Sequence, residues 1–170
     1  MLSQTAEYAL RAMSSLAYFP GELVPPPTLA KQTRVPANYL AKVLQLLAGA
    51  GLIIGRRGVG GGYRLARPAS EITMLHIVDA VDSVKRIETC PLGLPNHGAN
   101  LCPLHKKVDD AVRAVQEVFG STTLLDLTSD PAASKPLCDA EMFAELTMGA
   151  DAASATNGQS QGPGQGPGQA

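Results

Sequence analysis

Residues 28–67 contain the feature that most constrains the fold: two helix-prone segments followed at once by a glycine-rich hairpin. Two short runs with β propensity, 52–57 and 63–67, flank the loop 58–62, which reads GVGGG. Glycine adopts positive φ without steric penalty, and several loop positions need it for so tight a reversal. The sequence therefore predicts a mainly α-helical domain that carries a small two-stranded sheet.

The two helix-prone segments have the spacing of a helix-turn-helix, whose second helix enters the major groove of duplex DNA. Three prolines, 25–27, precede the first segment, and Thr28 is its predicted N-cap. Residues 34–36 interrupt the pattern, and a second helix is predicted over 37–50. Its apolar positions share one face: Leu40, Val43, Leu44 and Leu47. The candidate base or phosphate contacts of the two helices are Thr28, Asn38, Tyr39 and Lys42.

Basic side chains flank the hairpin and would carry positive charge to a phosphate backbone or a narrow minor groove. The candidate contacts on its arms are Arg56, Arg57, Tyr63 and Arg64. An ordinary surface hairpin with solvated arginines is the alternative. A nucleotide-binding phosphate loop is disfavoured, because no Gly-Lys-Ser or Gly-Lys-Thr follows and Pro68 prevents the helix that such a loop needs.

Charge is divided unevenly along the chain. Residues 1–70 hold eight Lys or Arg against two acidic residues, whereas residues 71–170 hold six against thirteen. The net charge of −1 therefore hides a basic half joined to an acidic half. A protein divided in this way can bind nucleic acid through its basic half alone.

Length and composition set the limits of the core and of the compartment. The 170 residues, 45% of them hydrophobic, suffice for one moderate domain or a small domain with an assembly element. Aromatic residues make up only 4%, without Trp, so the core must be aliphatic. There is no apolar run long enough for a membrane span and no basic-then-apolar leader, so we expect a cytoplasmic protein without a membrane partner. Three cysteines are too few for a disulfide scaffold but could serve, reduced, as ligands.

Apolar periodicity predicts three further helices, over 4–18, over 73–81 and from Cys102 to about Phe119. The last repeats apolar residues at the spacing of a helix-helix seam: Val108, Val112, Val115 and Phe119. We expect this seam to join two copies of the chain, although packing within one domain is the commoner fate of such a face. Residues 152–170, rich in Gly, Pro and Gln, are predicted to be disordered.

These patterns divide the chain into a helix-turn-helix domain with its hairpin, a cysteine-containing loop, a dimerisation helix with a C-terminal segment, and a tail. The predicted bounds are 1–82, 83–103, 104–150 and 151–170. Four candidate metal ligands lie in or beside the loop: Cys90, His97, Cys102 and His105. If Cys102 caps the long helix with Pro103 at its first position, the positive end of that helix favours the thiolate. Two thiolates with an imidazole suit an iron-sulfur cluster or zinc, although the spacing alone leaves an incidental arrangement open.

These pieces occur together, in the same order, in the Rrf2 family of bacterial winged-helix regulators, which the chain resembles from Met1 to about Leu127. The matching segments are YALRAM at 8–13, NYL at 38–40, RRGVGGGY at 56–63, IVDAV at 77–81 and the cysteine loop. The resemblance implies a homodimeric regulator of transcription, usually a repressor, that binds an inverted-repeat operator in double-stranded DNA. It often implies, too, an iron-sulfur cluster whose state controls the affinity for DNA.

The cysteine loop departs from the family pattern at one position. Cluster-binding members carry three cysteines spaced six apart, some with a histidine three residues later, and the matching positions here are Cys90, Asn96, Cys102 and His105. Asparagine is a poor iron ligand, so we expect the neighbouring His97 to replace the missing cysteine. The resemblance also implies a carboxylate ligand from the opposite subunit at Glu7, although an ion pair is the commoner role of such a glutamate. The expected cofactor is a two-iron two-sulfur cluster, with zinc or no cofactor as alternatives, and Cys138 lies outside the motif.

Three functions remain open on this evidence. The first is a DNA-binding regulator whose cluster senses redox state, nitric oxide or iron supply. The second is a cluster-free regulator of the same family, controlled by a partner protein or by thiol oxidation. The third is a small metal-dependent enzyme, which is disfavoured because no paired carboxylates, nucleophile with a base, or cofactor fingerprint accompanies the loop.

Overall fold

The structure, a computed structural model, describes residues 2–91, 93 and 101–129. The chain divides into two units, 1–137 and 138–170, and the second lies wholly outside the described residues. The predicted disordered tail and Cys138 fall there. The described residues form six α-helices and one two-stranded sheet, in the order α1 (Gln4–Ala17), α2 (Pro26–Thr33), α3 (Ala37–Gly49), β1 (Ile53–Arg56), β2 (Gly62–Leu65), α4 (Met74–Val81), α5 (Pro103–Ser121) and α6 (Leu124–Ser129). The prediction of a mainly helical fold with a small sheet is confirmed.

An aliphatic core joins α1 to α2, α3, α4 and α6, as the scarcity of aromatic residues predicted. The largest fully buried side chains of these helices are Met13, Leu16, Leu29, Leu40, Leu44, Leu47, Ile77 and Leu124. Burial of each such side chain stabilises the fold by about 1.5–3 kcal/mol relative to leaving it in water. The four apolar positions predicted to share one face of α3 are all buried, which confirms that part of the prediction.

The start of α2 differs from the prediction. Pro25 is the N-cap, and Pro26 and Pro27 occupy the first turn, so Thr28 is the third residue of the helix and half-buried. Proline suits this turn because its φ is already helical and it lacks the N–H that the turn leaves unpaired. The prediction that Thr28 caps the helix was therefore wrong. The N-cap position is occupied by Pro25, which makes no side-chain capping hydrogen bond.

The hairpin is antiparallel, with Ile53 opposite Leu65 and Arg56 opposite Gly62. Gly58 and Gly60 have φ of 94° and 70°, the positive values that the loop was predicted to need. Val24 forms an isolated antiparallel bridge to Tyr63 of β2. The Val24 N–H donates to the Tyr63 carbonyl at 2.9 Å, and the Tyr63 N–H donates to the Val24 carbonyl at 2.9 Å. The sheet is thereby tied to the segment that precedes α2.

The end of the long helix α5 is hydrogen-bonded to the segment that leads into α4. The N–H of Met74 donates to the carbonyl of Thr122 at 2.9 Å, and the N–H of Leu124 donates to the carbonyl of Ile72 at 2.8 Å. Sequence periodicity did not predict α6, whose six residues are too few for a helical pattern. Because Leu124 is fully buried, α6 and the end of α5 are anchored on the same core as the helix-turn-helix.

Candidate functional site

The face of α3 that turns away from the core is exposed and polar. Asn38, Tyr39 and Lys42 are all exposed there, and Tyr39 retains 50% of its accessible surface. Lys42 lies with its Nζ 5.9 Å from the centroid of the Tyr39 ring, a cation–π contact within the same helix. The three predicted contacts of this helix therefore lie on one accessible surface.

Helix α1 supports the helix-turn-helix from behind. The Tyr8 ring meets the Tyr39 ring edge to face, with centroids 6.2 Å apart, and Gln4 Nε2 donates to the Tyr8 hydroxyl at 2.8 Å. Deeper in the domain, the Ser15 hydroxyl donates to Gln32 Oε1 at 2.6 Å, where both groups are buried. Contacts at both ends of α1 thus fix α2 and α3 relative to it.

The turn between α2 and α3 contains Arg34 in the left-handed conformation, with φ of 53°. It is the only non-glycine residue with positive φ within the described residues. The carbonyl of the preceding Thr33 accepts a 3.5 Å hydrogen bond from Arg11, and the Thr33 hydroxyl donates to the Leu29 carbonyl at 2.6 Å. The exposed Arg34 side chain adds a positive charge at the start of the second helix.

The hairpin forms a basic wing beside α3. Arg56 and Arg57 are exposed, whereas the predicted contacts Tyr63 and Arg64 on the return strand are half-buried. A groove of about 500 Å³ opens between the hairpin, the start of α2 and the end of α3. Arg56 and Arg57 line it together with Tyr63, Pro26 and Ala48. The two exposed arginines of the wing therefore line a groove that reaches the end of α3.

The cysteine loop brings three of the predicted ligands together. Cys102 is the N-cap of α5 and Pro103 begins that helix, as predicted from the sequence. His105 Nδ1 lies 3.4 Å from Cys102 Sγ and 3.9 Å from Cys90 Sγ. Cys90 is buried, and neither thiol forms a disulfide. We name these three side chains the thiol-imidazole cluster.

The other two predicted ligands have different outcomes. His97 lies outside the described residues, as does Asn96. Glu7 forms an ion pair with Arg11 on the next turn of α1, with Oε1 2.9 Å from Nη2. Within the described part of the chain, no three His, Cys, Asp or Glu side chains are already arranged around one ion position. The cluster offers the sulfur and nitrogen donors that soft metals prefer, but its atoms converge on the imidazole rather than on an empty point.

An ion pair that the sequence did not predict lies beside the cluster. Arg86 binds both oxygens of Asp109, at 2.6 and 2.5 Å, and the Ile87 N–H donates to the same carboxylate at 3.0 Å. These contacts, with the Arg86 hydrogen bonds the largest, lower the pKa of Asp109 to about 2. The partners are 23 residues apart, so periodicity could not have found them. The one signal in the sequence is an acidic residue on the apolar side of an amphipathic helix.

The long helix leaves an apolar stripe in water. Leu104, Val108 and Val118 are 67%, 43% and 59% exposed, although all three are large hydrophobic residues. Of these three, only Val108 belongs to the predicted seam, and the other seam residues are half-buried: Val112, Val115 and Phe119. Within the described residues, no helix is both long and apolar enough to pass through a bilayer.

A helix-turn-helix with an exposed second helix, followed by a basic two-stranded hairpin, defines a winged-helix domain of the kind that binds duplex DNA. Comparison with known proteins gives the family. A model of the family "Rrf2: Iron-dependent Transcriptional regulator" matches residues 2–130. The chain therefore belongs to the Rrf2 family of transcriptional regulators.

Individual relatives agree with this assignment. A protein of Aquifex aeolicus (strain VF5), provisionally named an HTH-type transcriptional regulator, is 31% identical over 130 residues, which cover 75% of this chain and 90% of that protein. The HTH-type transcriptional regulator IscR of Vibrio atlanticus (strain LGP32) is 28% identical over 130 residues, with 76% and 75% covered. The structure of CymR, the global cysteine regulator of B. subtilis, is similar with a TM-score of 0.63 at 27% identity, with 76% and 96% covered. Because these relatives are named as regulators, the chain is a DNA-binding transcriptional regulator and not an enzyme.

Proposed function

We propose that the protein is a homodimeric repressor whose affinity for an inverted-repeat operator depends on the state of an iron-sulfur cluster at Cys90, Cys102 and His105. The observation that carries the proposal is the approach of two cysteine sulfurs to one imidazole nitrogen at the start of α5. Repression is the expected outcome because a protein seated on an operator excludes other proteins from that DNA.

The exposed face of α3 would enter the major groove, with Asn38, Tyr39 and Lys42 toward the bases. Arg56 and Arg57 would bind the backbone or the adjacent minor groove, and Arg64 and Tyr63 would support the wing. Thr28 on α2 would face the backbone. Each neutralised phosphate releases counterions, so we expect the affinity to fall steeply with salt concentration.

The exposed apolar stripe of α5 supports the homodimer. Exposure to water is unfavourable for the apolar side chains of Leu104, Val108 and Val118. The same helix of a second copy would cover them. A pair of winged domains joined in this way would place two copies of α3 on the two halves of an inverted repeat, about one helical turn or a multiple apart.

Cys90 and Cys102 would supply thiolate ligands and His105 an imidazole, and the cluster would supply an electron-transfer couple that is also reactive toward oxidants. His97 is the candidate fourth ligand from this chain, and Glu7 the candidate carboxylate from the second copy. A two-iron two-sulfur cluster with mixed cysteine and histidine ligation would have a higher reduction potential than one held by cysteine alone. Zinc is the other ion that this donor set suits.

The fastening of α5 supports a coupling between the cluster and DNA. Ligation at Cys90 and Cys102 would tie the segment after α4 to the start of α5. The hydrogen bonds of Thr122 and Leu124 hold the end of α5 beside the start of α4. A change of ligation would then alter how α5 is held and hence the distance between the two recognition helices.

A second function keeps DNA binding and omits the cluster. It is favoured by the similarity to the structure of CymR. In this case Cys90 and Cys102 would act as ordinary thiols, and a partner protein or thiol oxidation would control binding to DNA.

Anaerobic purification followed by absorption spectroscopy, with iron and sulfide analysis, separates the two functions. A visible chromophore that disappears in both Cys90→Ala and Cys102→Ala supports the first function, and a colourless protein supports the second. Titrating operator DNA with the coloured and iron-free forms then tests the switch, and equal affinities would remove the cluster from the regulation.

Arg57→Ala should lower the salt dependence by about one phosphate contact without changing the preferred sequence, and Lys107→Ala on α5 is the matched control.

A further inference from the structure

The segment between α4 and Cys90 has neither helix nor strand, yet it is held closely along α5. The Gln116 side chain donates to the Val84 carbonyl at 2.7 Å, and Asp79 accepts from the Val84 N–H at 3.1 Å. Arg86 and the Ile87 N–H both bind Asp109. We name the contacts made by Arg86, Ile87, Asp109 and Gln116 the loop clamp.

Asp109 is unusual for its helix. It is the one buried residue of α5, while the valines on the same helix are half-buried or exposed. A buried carboxylate is costly unless it is paired and hydrogen-bonded, and here both oxygens are satisfied by a planar, bidentate guanidinium and a backbone N–H. The arrangement therefore specifies one register of the loop against the helix.

The clamp lies close to the thiol-imidazole cluster in the chain. Ile87 precedes Cys90 by three residues, and Asp109 follows His105 by four, one turn of the same helix. With the segment along α5 in this register, Cys90 Sγ lies 3.9 Å from His105 Nδ1. A free segment would have to lose conformational entropy each time Cys90 met Cys102 and His105.

We propose that the loop clamp positions Cys90 against Cys102 and His105 before any ligand binds, so that Arg86, Asp109 and Gln116 are positioning residues of the sensor. The inference rests on the proposed function in one respect: it takes the three side chains of the cluster to act as one site. It applies equally to an iron-sulfur cluster and to a pair of regulatory thiols, because the clamp acts on the distance between the sulfurs.

Crosslinking of the two thiols measures that distance without iron. Dibromobimane becomes fluorescent only after both of its arms have alkylated thiols, so the rate of fluorescence gain reports how often the two sulfurs are near each other. The test uses the reduced, iron-free full chain with Cys138→Ser in every variant. Removal of either Cys90 or Cys102 gives the background rate.

Asp109→Asn keeps the shape of the side chain but removes the charge that binds Arg86. We expect it to crosslink about tenfold more slowly than the parent, the factor that corresponds to the loss of one charge-assisted hydrogen bond. Asp110→Asn removes the same charge from the neighbouring residue and is the matched control, since the ion pairs of Asp110, at 3.7 Å to Lys106 and 3.6 Å to Arg113, lie on its own helix and it acts on Arg86 through charge alone. It should crosslink at the parental rate.

Four results overturn the proposal: slow crosslinking in the parent, a parental rate in Asp109→Asn, an equal loss in both variants, or fast crosslinking after Cys102 is removed. If Asp109→Asn fails to fold, as judged by circular dichroism, Gln116→Met decides. It removes one uncharged donor and preserves the volume, and it should crosslink more slowly than the parent while remaining folded. A colourless protein with a strong effect of the clamp would reject the cluster but keep this inference.

Discussion

The rings of Tyr8 on α1 and Tyr39 on α3 meet edge to face, with their centroids 6.2 Å apart. Tyr39 is half exposed on the surface proposed to bind DNA, and Tyr8, which belongs to a different helix, is half-buried beside it. An edge-to-face pair contributes about 0.5–1.5 kcal/mol beyond burial of the rings. The first helix thereby affects how α3 presents its exposed side chains.

Tyr8→Leu should therefore weaken binding to the preferred operator by about two- to tenfold, the factor that the lost ring contact represents. Base preference should relax, while the salt dependence should not change because no phosphate contact is lost. Selection from a randomised DNA library, with affinities at several salt concentrations, measures both. Tyr8→Phe keeps the ring and loses only the hydrogen bond from Gln4, so it should retain the preference. Equal weakening on every DNA sequence would assign Tyr8 a purely structural role.

The long helix provides the second prediction. Val118→Asp would place a carboxylate in the exposed apolar stripe of α5, which is the proposed dimer contact, where an unpaired buried charge costs several kcal/mol. The dimer should dissociate, and binding to the inverted repeat should fall with it. Sedimentation at several concentrations measures the assembly, and Val118→Leu, which keeps the surface apolar, is the control. Should Val118→Asp remain dimeric, the interface lies elsewhere on the protein.

The third prediction compares a glycine of the wing with a glycine of α3. A Cβ at Gly61 would lie 2.3 Å from the Arg56 carbonyl oxygen, a backbone atom that cannot move aside without opening the hairpin. Gly61→Ala should therefore abolish the contribution of the wing to DNA binding and lower stability by about 1–3 kcal/mol. Gly49→Ala, at the last residue of α3 and with nothing within 4 Å of its Cβ, should instead stabilise by about 0.4–1 kcal/mol. Chemical denaturation of both variants measures this contrast, which a tolerated Gly61→Ala would contradict.

Local patterns along the chain are sufficient to predict some elements of the fold. The buried face of α3 and the start of α5 at Cys102 and Pro103 follow from periodicity and capping chemistry, which depend on neighbours along the chain. Three contacts join residues that are distant in the chain, so no local pattern predicts them. They are the β-bridge between Val24 and Tyr63, the Ser15–Gln32 hydrogen bond and the docking of α6. Thr28 shows a different failure, because a good capping residue was present but the prolines before it start the helix earlier.

The residues of the candidate site differ in the same way in whether the sequence could predict them. Spacing and residue type made Cys90, His97, Cys102 and His105 candidate ligands. The structure brings the two cysteines and His105 together, and His97 lies outside the described residues. Glu7 was a candidate only through resemblance, and within this chain Arg11 satisfies its charge. The Arg86–Asp109 pair was missed because its partners become neighbours only when the loop lies along α5.

The last prediction concerns acid stability. Arg86 and the Ile87 N–H lower the pKa of Asp109 to about 2, from an ordinary value of 3.8. A depressed pKa means that the folded state favours the ionised form, so Asp109 stabilises the fold above pH 3.8 and loses this contribution as the pH falls toward 2. Melting temperatures of the parent and Asp109→Asn should therefore differ by a constant amount near neutral pH. The difference should shrink between about pH 4 and pH 2, because the protonated carboxyl binds Arg86 no better than the amide. Asp126, whose pKa is lowered by hydrogen bonds to Thr123, titrates in both proteins and cancels from the comparison. A difference that stayed constant down to pH 2 would show that the ion pair is not what Asp109 contributes.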